Sequence, residues 1–163
     1  MRASRIAMLT SLGLLSLAPQ SPAVGPLQFY SIAPCRMADT RDPTGPTGGP
    51  PLTHGVVRAF PVFGQFARPC GIPSTAKAVA VNAAIVQPPN GGHFVMFANN
   101  SGLPSTSNIN FNLGEIAIAN GALVKLTYPP SELVDPNYQL AAMAAIAGGG
   151  TVHLVLGVTG YYQ

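Results

Sequence analysis

Three asparagines alternate with apolar residues between Ser107 and Leu113. On a strand, Asn108, Asn110 and Asn112 would share one face at intervals of about 6.6–6.8 Å. Amide side chains donate and accept hydrogen bonds, as sugar hydroxyl groups require, so the row is a candidate glycan-binding face. The simpler interpretation, which the sequence favours, is that the row bonds neighbouring loops, strands and water. Four tyrosines offer stacking surfaces for a sugar: Tyr128, Tyr138, Tyr161 and Tyr162.

Asp39 and Arg41 flank Thr40 and would lie on the same face of a strand. One interpretation is a polar binding patch that gives specificity. The other is a structural brace, in which the pair ties the first strands to the proline-rich segment 42–53. The sequence favours the brace.

The three histidines, His54, His93 and His153, are far apart in the chain and show no ligand spacing such as HxH or HExxH. We therefore expect three separate histidines, no metal and no cofactor. On its strand, His153 lies opposite an apolar face, which predicts that it is exposed or hydrogen-bonded.

No residue is marked as a catalytic nucleophile, because the GxSxG motif is absent. Ser105 or Ser107 could meet His153 and Asp39 in any sandwich fold, but no pattern supports that arrangement. The five acidic residues lie mostly in segments that read as loops, and nothing pairs two of them as in a glycosidase. We predict a protein that is not an enzyme, with a secreted hydrolase as the third-ranked alternative.

The composition predicts the kind of elements that hold these residues. Only 8% of the 163 residues are charged, whereas soluble domains average about 25%. The chain also has 18 glycines and 17 prolines, and 47% of its residues are hydrophobic. This composition excludes coiled coils, helix bundles and disordered chains, and Gly does not recur as in collagen. It favours an all-β domain with many turns.

The first 23 residues resemble a secretory signal peptide. Arg2 and Arg5 precede a mainly apolar run from Ile6 to Ala18, which is too short to span a bilayer. Small residues then predict cleavage after Ala23. Residues 24–163 would form one secreted domain, extracellular or periplasmic, with six basic and five acidic residues. This balance predicts no nucleic-acid partner, and no later apolar run is long enough for a transmembrane helix.

Short apolar runs between turn signals predict eight to ten strands and a β-sandwich, with a partly open barrel as the alternative. Ala76 to Gln87 is the best candidate for a central strand covered on both faces. Asn120-Gly121 predicts a hairpin turn, and Leu140 to Ala147 fits either a short helix or a buried strand. The other predicted strands are Leu27–Ile32, Arg36–Arg41, Gly55–Phe63, His93–Ala98, Ser107–Leu113, Ile116–Thr127 and Thr151–Tyr162.

Cys35 and Cys70 are the only cysteines. An even number in an exported chain favours one disulfide over two buried thiols. The bond would close a loop of about 35 residues.

Five short motifs occur together in this order: Ala33-Pro34-Cys35-Arg36, Asp39-Thr40-Arg41, Cys70-Gly71-Ile72-Pro73, the run Ala76 to Asn82, and Val158-Thr159-Gly160-Tyr161-Tyr162. In this respect the chain resembles a widespread, poorly characterised β-rich domain of secreted bacterial proteins. The resemblance implies an extracellular, non-catalytic module, sometimes appended to larger surface proteins, and supports pairing of Cys35 with Cys70. Domains of this type usually have Asp where this chain has Gly157.

We expect a non-catalytic extracellular or cell-surface structural module. Low charge promotes association, so self-association is an expected property of this module. The alternative is a glycan-binding module in which the asparagine row and an exposed tyrosine share a shallow groove.

Overall fold

The computed structural model describes residues 25–132 and 135–163, so the predicted signal peptide lies outside the described residues. Nine strands and one 3-10 turn, Pro130–Glu132, make up the described elements. No helix among these residues is long and apolar enough to cross a membrane. The strands are β1 Phe29–Asp39, β2 Leu52–Thr53, β3 Arg58–Phe60, β4 Ala78–Val86, β5 Gly92–Ala98, β6 Ile109–Phe111, β7 Ala117–Lys125, β8 Leu140–Ile146 and β9 Thr151–Tyr162.

The strands form two sheets that do not close into a barrel. The larger sheet has the order β1-β9-β4-β7, with β2 pairing the start of β9. The smaller sheet has the order β3-β8-β5-β6. All named strand pairs are antiparallel. The core contains large side chains from both sheets, including Phe60, Phe94, Leu154 and Leu156. The all-β fold and the sandwich are therefore confirmed.

Alternation of side chains correctly predicted the inner faces of the two central strands. Val79, Val81, Ala83 and Ile85 of β4 are buried, as are the alternating residues of β9 from Val152 to Val158. A period of two places every second residue on one face of a sheet. The expected cover on the other face of β4 is wrong, because its outward residues are half-buried or exposed.

The structure differs from the sequence prediction at a predicted hairpin and at two predicted strands. The predicted hairpin at Asn120-Gly121 is wrong, since β7 passes straight through these residues and pairs with β4 along its whole length. A type I′ turn needs positive φ at both central residues, and neither residue has it. Leu27–Ile32 and Arg36–Arg41 merge into β1, which continues through two register shifts against β9.

The structure also defines the segment after Gln139 and the end of β6. Leu140–Ile146 is a strand, β8, and its residues are almost all buried. β6 ends at Phe111, and Leu113 is 69% exposed, so Leu113 does not continue the inner face of Ile109 and Phe111. A turn follows β6, in which the backbone N–H of Asn112 donates to Glu115.

Candidate functional site

The predicted pair of Asp39 and Arg41 forms at the end of β1. Arg41 Nε and Nη2 donate to the two carboxylate oxygens of Asp39 over 2.8 and 2.7 Å. Arg36 Nη1 adds a third contact of 2.5 Å. Asp39 is 4% exposed, whereas about half of each arginine side chain is exposed.

Arg36 was not predicted as part of this cluster. Its spacing of three residues from Asp39 would place it on the other face of a regular strand. A register shift between Arg36 and Ala38 changes the alternation and brings Arg36 to the side of Asp39. No local sequence signal marks this bulge.

The arginines hold the carboxylate of Asp39 in its charged form. The hydrogen bonds from Arg41 lower the pKa of Asp39 far below its ordinary value, and Arg36 lowers this pKa further. The same pairing raises the pKa of Arg41. Asp39 therefore has no proton to donate near neutral pH, and its oxygens are occupied. This geometry is that of a brace rather than of a general acid.

A disulfide and a second ion pair tie a long connection to the same region. Cys35 on β1 is bonded to Cys70, as predicted. Arg68 pairs with Asp42 and donates from Nε to Thr47 Oγ1 over 3.3 Å. The connection between β3 and β4 is thus fastened to β1 and to the segment that follows it.

The asparagine row does not act as one surface. Asn108 Oδ1 accepts from the backbone N–H of Met96 over 2.6 Å, so this side chain links β5 to the residue before β6. Asn110 accepts from the hydroxyl of Ser107 over 2.8 Å and is exposed. Asn112 lies beyond the end of β6. Of the three, Asn110 lines a polar pocket.

That pocket is small and polar. It has a volume of about 140 Å³ and is lined by His93, Pro104, Ser105, Thr106, Ser107 and Asn110. His93 and Asn110 are direct partners between β5 and β6. None of the four predicted tyrosines is among these lining residues, so this pocket has no tyrosine platform.

The three histidines have different environments. His54 Nδ1 accepts from the backbone N–H of Ile146 over 2.8 Å. His93 is exposed at the polar pocket. His153 Nδ1 lies 3.1 Å from the hydroxyl of Thr40, a buried residue that also accepts from the backbone N–H of Leu154. Across the described chain, no three His, Cys, Asp or Glu residues form a group that could hold a metal ion.

The arrangement of Ser105 or Ser107 with His153 and Asp39 does not form. Both serines line the pocket with His93, whereas His153 bonds Thr40 and Asp39 bonds the arginines. A nucleophile and its base must lie about 2.6–3.2 Å apart. No serine hydroxyl forms a hydrogen bond with a histidine within residues 25–132 and 135–163.

Ser74 and Lys77 have the Ser-x-x-Lys spacing of penicillin-binding proteins and β-lactamases, which the sequence-based prediction overlooked. In the structure Ser74 lies in a turn, in which the N–H of Ala76 donates to Pro73 O, and Lys77 follows it directly before β4. The Lys77 ammonium lies over the ring of Tyr128, 5.1 Å from its centre. Among the described residues, no hydrogen bond joins Ser74 to Lys77.

An apolar groove that the sequence did not predict lies at one end of the larger sheet. It has a volume of about 530 Å³ and is lined by Leu27, Lys77, Ala78, Lys125 and Tyr128. These residues come from the start of β4, the end of β7 and two flanking segments. Sequence reasoning missed the groove because its two lysines are 48 residues apart and meet only through the pairing of β4 with β7.

The edge formed by β7 is a second feature that the sequence did not predict. β7 pairs with β4 through nine consecutive residues without a register shift. No described strand pairs with its other side. Leu123 is 66% exposed, and Ile116, just before the strand, is 81% exposed.

Comparison with protein-family models, characterised proteins and solved structures gives no match to this chain.

Proposed function

We propose that the protein is a non-catalytic extracellular structural module that associates with a second copy of itself through the open edge of β7. The unpaired, regular edge of β7 is the observation that supports this proposal most strongly. A strand at the edge of a sheet presents a row of unpaired N–H and C=O groups, which is a template for pairing with another chain.

β7 lacks most of the features that commonly prevent such pairing. Proteins protect sheet edges with prolines, bulges, charged side chains or very short strands. β7 is nine residues long, contains no proline or bulge, and carries one charge, Lys125 at its end. The large exposed side chain of Leu123 adds apolar surface that pairing would bury.

A two-fold axis at Gly121, the middle of β7, gives full overlap of two antiparallel copies. In this register Leu123 of one copy lies opposite Ala119 of the other, and Gly121 faces its own copy. A large side chain then meets a small one at each of two equivalent positions. A contact of this kind is isologous and closes as a dimer, and it joins two five-stranded sheets into one.

The surroundings of the strand agree with this role. Outward positions beside β7 carry small residues, among them Ala80 and Ala84 of β4, which are half-buried. The low charge of the whole chain favours association. The disulfide supports an oxidising, non-cytoplasmic location. The resemblance to secreted bacterial β-rich domains supports the same location and a role without catalysis.

Sedimentation velocity of residues 24–163 over a wide concentration range tests the proposal. Ala119→Lys/Leu123→Lys would place two pairs of like charges opposite each other across the two-fold axis. Because like charges opposite each other destabilise strand pairing, we expect about tenfold weaker self-association. Ala119→Glu/Leu123→Lys would form two opposite-charge pairs instead and restore the dimer.

Ala80→Lys/Ala84→Lys is the matched control. These residues are the partners of Leu123 and Ala119 on β4, so the control adds the same charge to the same face, one strand away from the edge. It should leave the dimer nearly unchanged. A protein that stays monomeric at high concentration would contradict self-association. Loss of the dimer only in the control would instead indicate stacking of sheet faces.

Glycan binding is a second candidate function, favoured by the polar pocket beside Asn110. Three hydroxyl side chains, an amide and His93 line it, and such groups suit sugar hydroxyls. The pocket is smaller than the roughly 300 Å³ of ordinary ligand sites, which ranks this function second. A glycan array with the unmodified protein and Asn110→Ala tests it. Binding that is absent, or indifferent to the substitution, would reject it.

A further inference from the structure

Both lysines of the chain lie in the apolar groove at the end of the larger sheet. Lys77 immediately precedes β4, and Lys125 is the last residue of β7. The sequence has no other lysine. Lys125 pairs with Ala78, the neighbour of Lys77, so the register of β4 and β7 brings the lysines to one site.

Neither lysine forms a salt bridge with a described side chain. The three salt bridges of the described residues involve Arg36, Arg41 and Arg68. The Lys77 ammonium lies over the Tyr128 ring, and its backbone is held by a 2.8 Å hydrogen bond from its N–H to Tyr162 O. Two cationic groups therefore border the groove, and no described carboxylate neutralises them.

The remaining surface of the groove is apolar. Leu27 and Tyr128 are partly exposed there, and Ala78 is half-buried. Lysine stems also present methylene groups to apolar surface while their ammonium groups face water. The volume of about 530 Å³ falls within the range of about 300–1,000 Å³ that is typical of small-molecule sites.

We propose that this groove binds an amphipathic carboxylate, a single-chain molecule with an apolar body and one anionic head group. The apolar body would lie against Leu27, Ala78 and the ring of Tyr128. The carboxylate would accept hydrogen bonds from the ammonium groups of Lys77 and Lys125, which are stronger than neutral hydrogen bonds. An acidic sugar fits less well, because the only hydroxyl or amide side chain of the lining is that of Tyr128.

Isothermal titration calorimetry with decanoate, kept below the concentration at which it forms micelles, tests this proposal. Acetate tests the need for the apolar body, and decyltrimethylammonium tests the need for the negative charge. We expect saturable binding of decanoate and no measurable binding of the other two. An anionic oligosaccharide, oligogalacturonate, and phosphatidylglycerol vesicles are tested in parallel.

Lys77→Gln/Lys125→Gln should weaken decanoate binding about tenfold or more, because it removes the charged donors. Lys77→Arg/Lys125→Arg keeps both charges and should bind within about threefold of the unmodified protein. Tyr128→Ala should weaken binding less than the loss of both charges. Each variant is used only if its far-ultraviolet circular dichroism spectrum matches that of the unmodified protein.

Several results would overturn the proposal. No binding of decanoate would do so, as would binding that the glutamine variant leaves unchanged. Equal binding of acetate would show a simple anion site. Binding of oligogalacturonate or of vesicles without binding of monomeric decanoate would show that the groove serves a glycan or a lipid surface. Because Lys125 is also the last residue of β7, the titrations are made with dilute protein in which the dimer has dissociated. Their outcome is then separate from that of the sedimentation experiment on β7.

Discussion

The larger sheet has two edges, and they differ in almost every physical respect. At one edge, β1 contains two register shifts, carries the disulfide at Cys35 and ends in the buried carboxylate of Asp39. At the other edge, β7 is regular, lacks disulfides and salt bridges, and exposes Leu123. Bulges and charges are standard means of preventing edge pairing. The molecule thus protects one edge and leaves the other open.

The charged residues follow the same division. Arg36, Arg41 and Arg68 provide every salt bridge among the described residues, and all three lie on β1 or on segments fastened to it. With charges at only 8% of positions, this concentration means that most other surfaces are neutral. The salt bridges are therefore concentrated at the β1 edge, and the β7 edge, whose one charge is Lys125 at its end, is the edge suited to contact with a partner.

Removing the disulfide should have the largest effect on the protected edge. Cys35→Ala/Cys70→Ala frees a connection with a sequence separation of 35 residues. In the chain-entropy description, such a loop contributes about 3–4 kcal/mol. We expect denaturant unfolding to show a loss of this size in the free energy of unfolding. A reductant should destabilise the unmodified protein similarly and leave the variant unchanged. A loss below about 1 kcal/mol would show that β1 is held mainly by packing.

Asp39→Asn should have the next largest effect. The substitution keeps the side-chain shape but removes the charge that accepts hydrogen bonds from Arg36 and Arg41. Because both arginines are half exposed, water replaces part of what is lost, and we expect a loss of about 2 kcal/mol. Chemical denaturation at neutral pH measures it. Leu123→Asn at the open edge is the control and should cost much less.

The same carboxylate predicts a pH dependence. The pKa of Asp39 is lowered in the folded protein by Arg41 and Arg36, whereas in the unfolded chain it is about 3.9. The unfolded state therefore binds more protons below about pH 4, and stability falls as the pH falls. The unmodified protein should lose stability between about pH 5 and pH 2 more steeply than Asp39→Asn. Parallel curves would show that Asp39 does not titrate differently on folding.

Much of the fold, including the inner faces of β4 and β9, was predictable from the sequence. Apolar residues alternate along these strands with a period of two, and the folded sheets bury the same residues. The Asn-Gly prediction failed because a local turn signal competed with nine consecutive pairs between β4 and β7. Pairing with β4 therefore overrode the local preference of Asn120-Gly121 for a turn.

The candidate sites were less predictable than the strands. Asp39 and Arg41 are two residues apart, so their pairing is local and could be anticipated. Arg36 joins them only because of a bulge. Lys77 and Lys125 meet only through strand register, and no spacing in the sequence reports which strands are neighbours.

Gly160→Ala tests how tightly the protected side is packed. Gly160 lies on β9 opposite Ser31 of β1. A Cβ atom there would come within 2.4 Å of the Phe29 ring and 2.8 Å of the backbone oxygen of Tyr30. The ring can move but the backbone of β1 must shift, so we expect a loss of about 1–2 kcal/mol in the free energy of unfolding. An unchanged free energy of unfolding would show that the backbone of β1 shifts at little cost.

Gly121→Ala, near the open edge, should have the smallest effect and the opposite sign. The nearest atom to an added Cβ is the backbone oxygen of Val81 at 4.0 Å, and φ is not positive at Gly121. Alanine thus fits the folded strand and restricts the unfolded chain, so we expect a gain of about 0.5–1 kcal/mol in the free energy of unfolding. Dilute protein, in which the dimer has dissociated, is used for this measurement. A loss of stability would show that β7 needs glycine for its own conformation. A gain in the monomer together with weaker self-association would show instead that the partner copy requires the small residue at the two-fold axis.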